Sequence, residues 1–161
     1  MSASRSRTCG ALLAFAVLFG AAFAAQADDD RRGTALPLLP KYQQECASCH
    51  IAYPPGLLPA ESWRRLMAGL PHHFGADASL DAASVKELAT WLAANAGTYK
   101  RVREAPPEDR ITRSAWFTRK HDEVATATWK RPAVKSPANC SACHAQADQG
   151  DFNERNVRIP R

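Results

Sequence analysis

The sequence predicts a mainly α-helical fold with much irregular structure, built as two small units packed together. Three observations predict it. Apolar residues recur at helical spacing in several short stretches, while no alternating pattern persists beyond three or four residues. All 11 prolines fall after residue 36, many in clusters such as Pro54-Pro55 and Pro106-Pro107, so the helices must be short. One five-residue motif occurs twice, about residues 46 to 50 and 140 to 144, and is the only internal repeat.

The first 27 residues read as a cleaved secretory signal peptide. Arg5 and Arg7 give a basic start, Ala11 to Ala24 is an unbroken apolar run, and Ala25-Gln26-Ala27 has the small-x-small pattern of a cleavage site. The apolar run is short of the roughly 20 residues that span a bilayer. Cys9 precedes the run, where a lipid-anchored cysteine would follow it, and is read as incidental. No later stretch is apolar enough to span a membrane, so the expectation is a soluble mature chain beginning at Asp28. The formal charge of +5 drops by two with the leader, and no basic run interleaved with aromatics suggests nucleic acid.

The first unit is expected over residues 28–103. Residues 28–40 form an irregular lead-in with Pro37 and Pro40. A short helix over 41–50 delivers the first copy of the motif. Residues 51–59 (IAYPPGLLP) cannot be regular helix. Residues 60–70 can, with Trp63, Leu66, Met67 and Leu70 at three- and four-residue spacing, and Pro71 limits that helix. The clearest helix is 82–96, capped by Asp81 or Ser84, with Val85, Leu88 and Leu92 in one stripe and Gly97 as its stop. Residues 104–110 (EAPPEDR) read as a linker. In the second unit, 111–161, a helix fits 114–124 with Phe117, His121 and Val124 on one face; residues 131–138 are proline-broken, and the tail from 146 is polar and irregular.

The repeated motif carries the chemistry. Every cysteine after the leader sits in a C-x-x-C-H: Cys46-Ala47-Ser48-Cys49-His50 and Cys140-Ser141-Ala142-Cys143-His144. Two cysteines three apart on a turn can each add a thiol across one vinyl group of a haem. The histidine that follows is thereby placed under the iron as its proximal ligand. Paired C-x-x-C motifs can also hold a structural zinc, form disulfides or act as a redox dithiol, but none of these requires a histidine directly after both pairs. The expected cofactors are therefore two covalently bound c-type haems, on thioethers from Cys46, Cys49, Cys140 and Cys143, with His50 and His144 on the irons.

The sixth ligand then decides function, because an iron with one protein ligand binds oxygen, carbon monoxide or peroxide, whereas a closed iron mainly passes electrons. The candidates are His72, His73, His121 and Met67. His121, on the Phe117 face, is assigned most simply to the second haem, and one of His72 and His73 to the first. Met67 competes, with a core position on the Trp63-Leu70 face as its alternative. Arg64, Arg65 and Arg131 are candidate partners for haem propionates.

The chain resembles the small dihaem cytochromes c of bacteria. The likeness rests on Cys46 to His50, Tyr53-Pro-Pro-Gly-Leu-Leu-Pro59, Ser62-Trp63, Met67, His73-Phe74-Gly75, Ala78-Ser79-Leu80-Asp81, Cys140 to His144, Gly150-Asp151-Phe152 and Val157-Arg158-Ile159-Pro160-Arg161. The resemblance implies a largely helical fold and two bis-histidine haems, with His73 the sixth ligand of one and His121 of the other. It also implies a periplasmic electron carrier and no enzyme. Its partners would be haem proteins: a high-spin, oxygen-binding monohaem cytochrome c as acceptor and a membrane b-type cytochrome as a source of electrons. The competing expectations are an electron-transfer subunit of a periplasmic reductase and a small dihaem peroxidase.

Overall fold

The computed structural model describes residues 36–161. The signal peptide expected over 1–27, and most of the lead-in that follows it, lie outside the described residues. Among the described residues five short α-helices are linked by single 3-10 turns and loops, and no strand forms. The helices are α1 (Pro40–Cys46), α2 (Ala60–Ala68), α3 (Ala82–Ala94), α4 (Ala115–Lys120) and α5 (Thr126–Trp129). None is long and apolar enough to cross a membrane.

Each expected helix is present but shorter than its periodicity suggests, for local reasons. α1 starts on Pro40, whose missing N–H is harmless at a helix start, and ends at Cys46, where the chain turns through Ala47 to Cys49. The first motif is therefore a turn at a helix end, not the interior of the 41–50 helix. α2 stops at Gly69, and Leu70–His72 tighten into a 3-10 turn at Pro71. α3 is capped by Asp81, whose carboxylate accepts the Ser84 N–H at 3.0 Å, so Asp81 rather than Ser84 is the cap. α4 is capped by Ser114 and runs only to Lys120, with His121 as its C-cap and a turn in place of the expected last helical turn. The 126–129 helix was not expected; Ala125 to Trp129 carry no strong periodic signal.

α2 packs on α3. Their facing side chains, Trp63, Met67, Leu88 and Leu92, join Tyr42, Ala52, Leu58 and Leu70 in one buried cluster. Removing each such side chain from water is worth about 1.5–3 kcal/mol. The proline segment is a structured brace for this core. Pro54, Pro55, Gly56, Leu57 and Leu58 are all buried, and the Trp63 indole donates to the Pro55 carbonyl at 2.8 Å. Burying an indole N–H requires such a partner. Residues 111–161 have a smaller centre in Phe117, Val134 and Ala147.

The two halves touch at named points. The Tyr53 hydroxyl donates to the Ala138 carbonyl at 2.7 Å. Arg65 grips Asp109 with two hydrogen bonds, Nε to Oδ2 at 2.8 Å and Nη2 to Oδ1 at 2.6 Å, and also pairs with Glu61. Glu108 and Asp109 both adopt positive φ, 56° and 53°, a conformation that disfavours side-chain-bearing residues. The Arg65 fork holds that turn in place, so residues 104–110 are fastened onto α2 while they connect the halves.

Gly97 sits where two chain segments cross. A Cβ there would lie 2.3 Å from Val102 Cγ2 and 2.5 Å from the Gly56 carbonyl oxygen, which is itself held by the Tyr99 hydroxyl at 2.7 Å. Gly97→Ala is expected to destabilise the holoprotein by about 1–3 kcal/mol through this overpacking. Denaturant unfolding followed by tryptophan fluorescence checks it, and an unchanged midpoint would refute the crossing.

Candidate functional site

Among the described residues the two copies of the motif are built differently. In the first, Cys46 closes α1 and the chain turns so that His50 points back over residues 51–53. Its Nδ1 lies 2.6 Å from the Ile51 carbonyl oxygen, the geometry of an Nδ1–H donor. With Nδ1 as the donor, Nε2 is the ring nitrogen left to bind a metal ion. The Tyr53 ring stacks on the imidazole, 4.7 Å between centroids and 20° between planes. In the second, Cys140–Ala142 form a 3-10 turn and His144 is held by the C-terminal segment. His144 pairs in an isolated antiparallel bridge with Val157, the Arg158 N–H donates to the Cys143 carbonyl at 2.8 Å, and Phe152 lies 5.4 Å from the imidazole. The His144 Nδ1 is buried with no hydrogen-bond partner.

Opposite each proximal histidine stands a second one. His73 follows the Leu70–His72 turn, and its carbonyl accepts the Ala76 N–H at 3.0 Å across Phe74 and Gly75, both at positive φ (51° and 99°). Glycine suits such a turn position; phenylalanine is strained there. The loop closes where Ala78 N–H reaches the Leu70 carbonyl at 2.9 Å. His73 and His50 thereby face each other with ring centroids 6.2 Å apart. His121 caps α4, its Nδ1 2.9 Å from the Phe117 carbonyl and its ring stacked on Phe117 at 4.0 Å and 19°. Trp129 closes the side at 5.8 Å. His121 and His144 also stand 6.2 Å apart.

Two imidazoles sharing one metal ion at metal–nitrogen bonds of about 2 Å must hold their ring centroids roughly 6 Å apart. Both pairs meet that requirement, and each lies beside its own pair of thiols, so the residues present fit two covalently attached haems. The electrostatics agree. Burial, reinforced by the facing His50 and by Arg110, holds His73 below the usual imidazole range, and burial with His121 does the same for His144. Neutral imidazole is the form that binds iron. Burial pushes the Cys46 and Cys140 thiols up to about 11, the opposite of the depressed values of redox-active C-x-x-C pairs. The four cysteines form no disulfide, and no group of three or more His, Cys, Asp or Glu converges among the described residues.

The remaining sequence candidates lie elsewhere. His72 is exposed and shares a shallow concavity with His73 and Phe74, but among the described residues no ring contact pairs it with His50. Met67 is buried in the α2–α3 core beside Trp63 and Leu70. Arg65 is occupied by Asp109 and Glu61, and Arg131 donates to the Pro160 carbonyl, so neither is an uncommitted propionate partner. Sequence reasoning missed Tyr53 and the C-terminal segment as supports of the proximal histidines. Only the position of Tyr53 three residues after His50 hinted at a local contact.

The sequence profile of the dihaem cytochrome c family matches residues 42–152. The chain belongs to the dihaem cytochrome c family. Among solved structures it is similar to the dihaem cytochrome c of Shewanella baltica OS155, at 40% identity and TM-score 0.68, over 78% of this chain and 95% of that one. It is also similar to the dihaem cytochrome c of Rhodobacter sphaeroides. Two structures of that protein match at 45% and 44% identity, with TM-scores of 0.63 and 0.64, over 73% of this chain and 99% and 98% of theirs. No curated protein sequence matches. Family membership carries two haems per chain and a role in electron transfer with redox partners, and members of this kind are typically exported. The helical, strandless architecture of the described residues agrees with it.

Deleting residues 153–161 removes the Val157 and Arg158 contacts to the second motif and the Lys120–Glu154 pair. The expected result is a stability loss on the order of 2–3 kcal/mol, at about 1 kcal/mol per hydrogen bond. Carbon monoxide should then bind the second haem in part and leave the first closed. Thermal melting and carbon monoxide difference spectra check both parts; a deletion variant that melts like the parent would refute the support role.

Proposed function

We propose that this chain is a periplasmic electron carrier whose two irons are each closed by two histidines, His50 with His73 and His121 with His144. The observation that carries the reading is the equal 6.2 Å separation of the two opposed imidazole pairs. A closed iron has no position for oxygen or peroxide, so its chemistry reduces to gaining and losing one electron. The protein's own task is then to keep both ligands on the iron in either oxidation state. The Nδ1 bonds of His50 and His121 orient one ring in each pair, and the aromatic stacks hold those rings in place. Covalent attachment through Cys46, Cys49, Cys140 and Cys143 keeps the haems on a protein that works outside the cytoplasm.

The donor in this reading is a membrane b-type cytochrome and the acceptor a soluble haem protein, such as a high-spin, oxygen-binding cytochrome c. Support for it comes from family membership and from the two opposed imidazole pairs. Bis-histidine ligation favours ferric iron over the histidine–methionine alternative, so both potentials should be low.

The wild-type reduced holoprotein should show no spectral change with carbon monoxide. His73→Ala and His121→Ala should each bind one equivalent, and His73→Met should keep a closed iron with a raised potential. Carbon monoxide binding by the wild type, or an unaltered low-spin spectrum in both alanine variants, would overturn the assignment.

A further inference from the structure

The two histidine pairs share a separation but not an orientation. The planes of His50 and His73 are 29° apart, those of His121 and His144 73° apart. Each angle has a visible cause in the packing. Tyr53 stacks nearly parallel on His50, 20° between planes, and its hydroxyl is tied to the Ala138 carbonyl, which also accepts the Cys140 N–H at 3.0 Å. His50 is therefore clamped between an Nδ1 bond on one edge and a tethered ring on its face. Phe117 stacks on His121 at 4.0 Å and 19°, while the His121 Nδ1 is fixed to the Phe117 carbonyl. His144 is turned away by the Val157 bridge and by Phe152. An aromatic stack of this kind is enough to choose between ring rotations about a metal–nitrogen bond that has little torsional preference of its own.

We infer that Tyr53 and Phe117 are positioning residues that make the two haem sites electronically unequal, the first favouring ferric iron and the second accepting the first electron. The reason is orbital overlap. Imidazoles in nearly the same plane donate into the same iron d orbital of π symmetry, raising it above its partner; the vacancy of low-spin ferric iron occupies that raised orbital, so the ferric state gains. Imidazoles at right angles donate into both orbitals equally, leave them nearly degenerate and withhold that gain. Ligand identity is the same at both sites, and ring orientation is a difference between them that acts against the Arg110 charge beside His73 and the Asp151 charge beside His144. One electron from a reduced redox protein then settles at the second site, whose iron passes from ferric to ferrous as the donor loses that electron; no bond is made or broken. This inference rests on the ligation proposed above.

Low-temperature electron paramagnetic resonance of the oxidised holoprotein tests it. The expected spectrum has two low-spin signals of different shape, one rhombic and one with its largest g value displaced toward the axial limit. On reductive titration the displaced signal should vanish first. Tyr53→Leu should alter only the rhombic signal, and Tyr53→Phe, which keeps the ring but loses the hydroxyl tether, should restore it in part. Phe117→Leu should alter only the displaced signal, with Phe117→Tyr as its restoring variant. Two signals of one shape, earlier loss of the rhombic signal, or a rhombic signal unmoved in Tyr53→Leu would overturn the inference while leaving bis-histidine ligation intact. A high-spin signal in the wild type would instead overturn the ligation itself.

Discussion

Everything in this small protein answers to one constraint: two pairs of imidazoles are held with their ring centroids 6.2 Å apart, in a chain with little regular structure to hold them. Helices and sheets position side chains by repetition. Here His73 sits on a tight turn, His121 at a helix end, His50 just past another, and His144 in a loop crossed by the C-terminal segment. The positions are set by local bonds such as Ala78 N–H to Leu70 and Arg158 N–H to Cys143. The positive φ of Phe74 belongs to the same account. Backbone strain persists only where surroundings determine it, and here it turns the chain immediately after His73 while its ring lies 4.8 Å from the imidazole and 4.2 Å under the Arg110 guanidinium.

The same economy explains how the halves stay together. The protein core of the second half is slight, with Val134, Phe117 and Ala147 at its centre. A haem attached at each C-x-x-C-H adds an apolar surface that a chain of this length does not otherwise supply. Between the halves the polypeptide contributes the Tyr53 hydroxyl on the Ala138 carbonyl, Arg101 over the Trp116 ring and Ile111 against the first core, while the Arg65 fork on Asp109 fastens the connecting turn. The Arg65 interaction is exposed and holds Asp109 below the usual carboxylate range, first through its hydrogen bonds. Its main effect is geometric, since it fixes a turn at unfavourable φ, and surface ion pairs add little stability by themselves.

Much of this was legible in sequence, and the reasons for what was not are physical. The helical class followed from the spacing of Trp63, Leu66, Met67 and Leu70 and of Val85, Leu88 and Leu92, which is a property of the chain itself. Cys46 to His50 and Cys140 to His144 are contiguous and name their chemistry in one dimension. Helix ends were less legible because capping competes with periodicity: Ser114 and His121 shorten α4, and the motif turn shortens α1. Sequence could nominate His73 and His121 only as spare histidines near the right motifs. That their rings oppose His50 and His144 depends on loops whose closing bonds link residues 8 and 15 positions apart, and no periodicity announces those. Tyr53 was hidden for the same reason: its partner Ala138 lies in the other half of the chain.

The two pairs are anchored in opposite senses, and this bears on how an electron carrier is built. In the first pair the ring fixed through Nδ1 is the one next to the cysteines, His50; in the second it is the distant one, His121. The other member of each pair, His73 or His144, is held below the usual imidazole range by burial and by the imidazole it faces. Each pair thus holds one ring whose plane is set by a hydrogen bond and a stack, and one whose plane is set by its loop. A ligand held by two independent constraints resists rotation when the iron's charge changes, and small ligand movement is what rapid one-electron exchange requires. Had both sites been anchored through the motif histidine alone, the repeated C-x-x-C-H would have produced two copies of one site. Because the anchors differ, one repeated motif serves two sites with different ring angles, and a difference between sites is what lets an electron have a preferred direction within a single chain.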